Sequence, residues 1–135
     1  MNNKEQTLSI IKPDAVERNL DDEIKEMFRN KGFEILKEKK IQIEKSEAEI
    51  FYKVHQTKPF YNDLCDYLSS GPIIVMILEK ENAVLSNREL MGATNPEDAA
   101  EGTIRKKYGI SIDKNSVHGS DSVENAKIEI DFFFK

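Results

Sequence analysis

Apolar positions along the chain change period several times, and each change marks an element. Leu8, Ile10 and Ile11 make a short apolar run that stops at Pro13, which predicts a strand closed by a residue unable to donate to a ladder. Leu20, Ile24, Met27 and Phe28 then share one helical face. Asn19 is the expected N-cap, Asp21, Asp22 and Glu23 put negative charge in the first turn, and Gly32 is the expected stop. Phe33, Ile35, Ile41 and Ile43 alternate with polar residues, the period of a long strand. Residues 46–49 (Ser-Glu-Ala-Glu) have capping-box spacing and open a helix carrying Ala48, Phe51, Tyr52 and His55. Pro59 starts a second short helix with Phe60, Leu64 and Leu68 four residues apart, ended by Gly71 and Pro72. Residues 73–78 are wholly apolar, as in a central strand covered on both faces. Residues 82–90 read as helix, and from about residue 92 to residue 116 no period holds. Residues 121–124 form another capping box before a helix with Val123, Ala126, Ile130 and Phe133 on one side.

Strands alternating with helices in this order point to an α+β sandwich with a mixed sheet. The aperiodic stretch matters, because a loop longer than roughly 15 residues inside a compact domain is usually functional or disordered. At 135 residues the length fits one domain. With 39% apolar and 33% charged residues the chain is globular in type, and one cysteine, Cys65, excludes an intrachain disulfide framework. Two histidines and one cysteine also exclude a zinc-finger type of site. A net charge of −5 argues against a non-specific nucleic-acid binder. No basic segment leads into a long apolar one near the N-terminus, so a cytoplasmic protein without a membrane partner is expected.

Chemistry can be sought in three places. His118 precedes Gly119 at the mouth of the last helix, where helix N-termini favour anions; it reads either as a phosphate-facing residue or as a turn histidine bonded to backbone. Glu129 lies at the edge of the apolar face of that helix. It reads either as a solvated glutamate or, if the segment with His118 runs back alongside the helix, as an orienter of the imidazole. Lys12, Arg88 and Arg105 are cations suited to phosphate oxygens, with Thr94 and Asn115 as polar groups near them in sequence. Phe60 and Leu64 form an i,i+4 pair that serves either core packing or as a clip for a flat ring. His55 reads as structural or surface, and Cys65 as a packing residue. There is no GxxxxGK[ST] loop, so any nucleotide is held in another way.

Three stretches resemble the nucleoside diphosphate kinase family: Thr7-Leu8-Ser9-Ile10-Ile11-Lys12-Pro13-Asp14-Ala15-Val16, Asn87-Arg88-Glu89-Leu90-Met91-Gly92-Ala93-Thr94, and Asn115-Ser116-Val117-His118-Gly119-Ser120-Asp121-Ser122. The likeness runs through nearly the whole chain, and the short end after Phe134 resembles the bacterial members. It implies a ferredoxin-like βαββαβ sandwich, with an antiparallel four-stranded sheet and a helical hairpin inserted after the second strand. It implies ping-pong transfer of the γ-phosphate from a nucleoside triphosphate to a diphosphate through phosphohistidine on His118, attacking through Nδ1. Glu129 would hold the histidine, and Tyr52 and Ser120 would complete the polar surround. Lys12, Arg88, Thr94 and Arg105 would hold the phosphates, and Lys12 and Asn115 the ribose hydroxyls. Phe60 would stack on the base with Leu64 and Ile112 beside it, which predicts broad base tolerance because every base has a π-face. Mg2+ would ride in on the nucleotide phosphates, with no metal-ligating residues of the chain assigned to it.

The implied assembly is a dimer-based homo-oligomer, a hexamer or a tetramer with the hexamer favoured, and no sequence-specific nucleic-acid partner is expected. Asp21-Asp22, Glu101 and Lys106-Lys107 depart from the common family pattern, and the latter two fall in the aperiodic stretch. Two other readings compete with the enzyme. One is a nucleotide-binding regulator, against which the full set of His118, Glu129, Lys12, Arg88 and Arg105 argues. The other is a ferredoxin-like nucleic-acid module, against which the acidic charge and the aromatic-free residues 73–78 argue.

Overall fold

The computed structural model of the chain describes residues 4–53, 56–111 and 114–134. Strands β1 (Lys4–Ile11), β2 (Glu34–Ile41), β3 (Ile73–Glu81) and β4 (Val117–Gly119) lie in the order β2-β3-β1-β4. Every neighbouring pair is antiparallel. Helices α1 (Pro13–Glu17) and α2 (Asp21–Asn30) follow β1, and α3 (Lys45–Phe51) and α4 (Tyr61–Leu68) are inserted between β2 and β3. Helices α5 (Ala83–Met91) and α6 (Ile104–Tyr108) follow β3, and α7 (Val123–Phe134) follows β4. This is the expected ferredoxin-like α+β sandwich with its inserted hairpin. Its sheet is wholly antiparallel, not mixed as element order alone suggested.

Helices cover both faces of the sheet, which is why residues 73–78 are apolar without alternation. Ile74, Met76 and Leu78 pack with Ile24 and Phe28 of α2, Leu90 and Met91 of α5, and Ile104 of α6. Ile73 and Val75 point the other way, into a cluster with Ala48, Cys65, Leu68 and Phe133 from α3, α4 and α7. Full burial of each such large side chain contributes about 1.5–3 kcal/mol, so β3 is the spine of the fold.

The sequence pattern of β2 conceals a switch of face. Phe33, Ile35, Ile41 and Ile43 have the same parity, which predicts one common side. Ile35 pairs with Leu78 and Lys37 with Ile77, so Leu36 is an extra residue. One inserted residue inverts the pleat beyond it. Phe33 and Ile35 therefore join the α2 layer, whereas Ile41 and Ile43 join the layer of α3 and α4.

Helix starts also move from their expected places. Asn19 does not cap α2; it takes a left-handed backbone (φ 59°), which asparagine tolerates, and the helix begins after Leu20. The capping box of α3 is Glu44 with Glu47, two residues before the expected one. Ser122, not Asp121, caps α7: its Oγ accepts from Asn125 N at 3.1 Å. Inside the aperiodic stretch lie a 3-10 turn (Pro96–Asp98) and α6, started by the Thr103 side chain accepting from Lys106 N. His55 and Ile112 lie outside the described residues. No described helix is long and apolar enough to cross a membrane.

Candidate active site

His118 is not at a helix mouth. It is the middle residue of β4, paired with Ile10 at the edge of the sheet. The chain turns after Gly119 and α7 packs back across β1, which carries Glu129 to the imidazole. His118 Nε2 lies 3.2 Å from Glu129 Oε1. The same carboxylate oxygen accepts from Ser120 Oγ at 2.7 Å. Ser120 is fully buried and locked to β1: its N–H donates to the Leu8 carbonyl, and its Oγ accepts from Leu8 N at 3.3 Å. A carboxylate only accepts, so it selects the tautomer with the proton on Nε2 and leaves a lone pair on Nδ1.

A cleft of about 530 Å³ opens over this chain of bonds. Tyr52, Arg88, Thr94, Arg105, His118 and Glu129 all line it, although they come from five separate parts of the chain. Arg88 reaches it from the last turn of α5 and Arg105 from α6. The Arg105 guanidinium is buried and aimed by two carbonyls, Gly92 O and Val117 O, each at 2.9 Å. Burial, and then the positive charge of Arg88, lowers its pKa to about 10. Two cations held together in this way favour a bound anion. Gly92 (φ 86°) cannot be replaced without strain, because a Cβ there would meet Thr103 Oγ1 at 2.7 Å. Tyr52 caps the end of α3, and burial pushes its phenol far above the usual range, so it serves as a neutral hydroxyl.

Lys12 and Asn115 are joined beside the cleft, outside its lining. Lys12 Nζ donates to Asn115 Oδ1 at 2.9 Å, and Asn115 Nδ2 donates to the Thr94 carbonyl at 3.1 Å. Phe60 and Leu64 stand apart from the cleft, at the start of α4. Phe60 is 43% exposed, whereas Leu64 is half-buried and packs against the cluster of Ala48, Cys65 and Leu68.

The cleft is also lined by residues outside the candidate set, among them Phe51, Asp121 and Asn125. Phe51 packs edge-on against the His118 ring, with centroids 5.2 Å apart. Asp121 and Asn125 lie at the rim, bonded to each other at 2.6 Å. Phe51 follows from nothing in its spacing except adjacency to Tyr52. Asp121 and Asn125 sit four apart across the start of α7, a signal that is present but weak. Among the described residues no group of three or more His, Cys, Asp or Glu gathers as a metal cage.

Comparison with known proteins agrees with this arrangement. The sequence model of the nucleoside diphosphate kinase family matches residues 5–135. The chain is 58% identical over 130 residues to the nucleoside diphosphate kinase of Campylobacter concisus, covering 96% of this chain and 95% of that one. It is 57% identical to that of Wolinella succinogenes over the same shares. The crystal structure of the Aquifex aeolicus nucleoside diphosphate kinase superposes with a TM-score of 0.96 at 39% identity, over 98% of this chain and 96% of that one. From its sequence and its fold, the chain belongs to the nucleoside diphosphate kinase family.

Proposed function

We propose that this chain carries out the family's phosphoryl transfer between nucleotides by a ping-pong route through His118, as a single domain over residues 1–135. The carrying observation is the hydrogen-bonded chain Ser120–Glu129–His118, opening onto a cleft that holds Arg88 and Arg105. In the first half-reaction the Nδ1 lone pair attacks the γ-phosphorus of a triphosphate. An N–P bond forms, the bond to the β,γ-bridging oxygen breaks, and the diphosphate leaves with that oxygen. Glu129 accepts from Nε2 and offsets the positive charge the ring gains. In the second half-reaction the terminal oxygen of another diphosphate attacks the phosphorus and the N–P bond breaks. One site serves donor and acceptor in turn.

Arg88, Arg105 and Thr94 hold the transferring phosphate, whose transition state is loose and anionic. Lys12 reaches the phosphates and ribose with Asn115 beside it, and Tyr52 donates its hydroxyl. Phe60 stacks on the base, with Leu64 and Ile112 at its side. The divalent cation that the family uses is Mg2+ in this reading, and it enters as part of the metal–nucleotide substrate. Mg2+ keeps most of its waters and pairs readily with phosphates, which suits a cleft built of cations. The oligomer is a hexamer built from three dimers and the compartment is the cytoplasm.

Initial-rate kinetics test this reading. With ATP varied at several fixed GDP concentrations, double-reciprocal plots should be parallel, because the two nucleotides use one site in turn. Intersecting lines, the mark of a ternary complex, would sink the ping-pong route.

A further inference from the structure

Four consecutive residues at the start of β4, Asn115 to His118, are each pinned by residues distant in the chain. Asn115 is held by Lys12 and the Thr94 carbonyl. The Ser116 carbonyl accepts from Lys12 N at 2.8 Å. The Val117 carbonyl accepts from Arg105 Nη2 at 2.9 Å, and His118 meets Glu129. At the centre, Ser116 has a φ of 75°, and Val117 N donates across it to Asn115 O at 2.9 Å. This is a γ-turn of the positive-φ kind, which is rare and strained for a residue with a side chain. Such a conformation persists only where its surroundings over-determine it.

Asp14, the second residue of α1, supplies much of that constraint. Its carboxylate is buried, where an unpartnered charge is costly. Oδ2 accepts from Ser116 Oγ and from Arg18 Nη2, each at 3.1 Å. The Arg18 guanidinium also reaches Ser116 Oγ at 3.4 Å and the Tyr108 carbonyl, at the end of α6, at 2.6 Å. Oδ1 accepts the hydroxyl of Tyr67 from α4, and the Tyr67 oxygen in turn accepts from Asp14 N at 2.9 Å. Asp14, Arg18, Ser116 and Tyr67 all lie outside the lining of the cleft. They join α4, which begins at the exposed Phe60, to α6, which carries Arg105, and to the turn that delivers Asn115 and His118.

We propose that Asp14 is a positioning residue for phosphoryl transfer: through Ser116 and Arg18 it holds the strained turn that sets Asn115 against Lys12 and His118 against Glu129. The proposal rests on the reading of His118 as nucleophile. It touches neither substrate nor reacting atoms, so its loss should appear in the rate of His118 phosphorylation at saturating ATP and Mg2+ rather than in folding alone.

The test compares wild type, Asp14→Asn, Tyr67→Phe, their double variant, and Asp14→Asn combined with Ser116→Gly. Single-turnover phosphorylation, ADP affinity and thermal melting are recorded for each. Asp14→Asn should slow phosphorylation by about tenfold or more, since small misplacements of reacting groups cost that much. Tyr67→Phe should slow it by about threefold, and the double variant should be no slower than Asp14→Asn, because Tyr67 acts through Asp14. Ser116→Gly should restore part of the lost rate in the Asp14→Asn background, because glycine adopts φ near +75° unaided. A purely structural role would not give that recovery. A folded Asp14→Asn protein phosphorylated at the wild-type rate, or no recovery with Ser116→Gly, would overturn the proposal. Should Asp14→Asn fail to fold, Tyr67→Phe removes only a hydroxyl, and an unchanged rate in that variant would overturn it. Absence of phosphate on wild-type His118 would instead overturn the nucleophile reading beneath it.

Discussion

Glu129→Gln isolates the charge that the His118 site contributes. One oxygen, Oε1, takes both the imidazole at 3.2 Å and the Ser120 hydroxyl at 2.7 Å. Glutamine keeps a single acceptor oxygen of the same reach, so the geometry survives and only the negative charge is lost. At the observed 3.2 Å and an effective dielectric near 20, two full charges attract by about 5 kcal/mol. Transfer of about half a charge to the ring in a loose transition state leaves about 2–3 kcal/mol, or about 30–150-fold in rate. The two side chains are only 21% and 18% exposed, so solvent screening removes a part of this and not the whole. Rapid-quench phosphorylation by saturating ATP measures the effect, with ADP affinity recorded separately. The rate should fall by about 10-fold or more while ADP affinity holds. A rate within about threefold of wild type would refute the assignment of Glu129 as the charge that offsets the phosphorylated ring.

Three other outcomes follow from the geometry. Phe60→Ala should weaken all nucleoside diphosphates alike by about 1–3 kcal/mol through lost stacking, measured by calorimetry; a loss confined to purines would show edge recognition. The folded-state pKa of Arg105 is lowered to about 10, so its charge opposes folding at neutral pH and that cost fades as pH rises through about 10. An anion relieves the same cost: tripolyphosphate should raise the melting temperature at pH 7, and the rise should shrink towards pH 11, whereas a pH-independent rise would contradict the pairing. Gly119→Ala should destabilise by about 1–3 kcal/mol in chemical denaturation, as overpacking does. A Cβ there would collide with Asn87 Nδ2 and come within 2.8 Å of Met91 Cε.

Much of this fold is legible in apolar periods, and the rest is not for identifiable reasons. The run at residues 73–78 announces a doubly covered strand because burial on both faces removes every polar position. Phe33, Ile35, Ile41 and Ile43 mislead, because the bulge at Leu36 leaves no trace in a pattern read by parity. Helix α6 and strand β4 have five and three residues, too few for a period to show. Their positions are set instead by tertiary bonds, such as those from Arg105 to Gly92 and Val117.

The site divides along the same line. The residue types at Lys12, Arg88, Arg105, His118 and Glu129 suggest phosphate chemistry, but spacing alone left His118 and Glu129 with ordinary readings. The pairing required the chain to run back alongside the last helix, and it does so because β4 adds to the sheet edge and α7 then crosses β1. The resemblance to the family, resting on residues such as Asn87 to Thr94 and Asn115 to Ser122, supplied what spacing could not. Neither route assigned a role to Phe51, whose ring contact leaves no spacing signal, or to Asp14, which lies within the resembling stretch Thr7 to Val16 but whose buried partners are seen only in the fold.

The most direct measurement is to isolate the intermediate. Enzyme incubated with ATP and Mg2+, freed of nucleotide and measured by intact mass should carry one acid-labile phosphate, placed on His118 by fragmentation. Adding GDP should discharge it stoichiometrically to GTP, and a His118→Ala variant should fold, bind ADP and remain unmodified. Phosphate on another residue, or none while GTP is still made from ATP and GDP, would contradict the account.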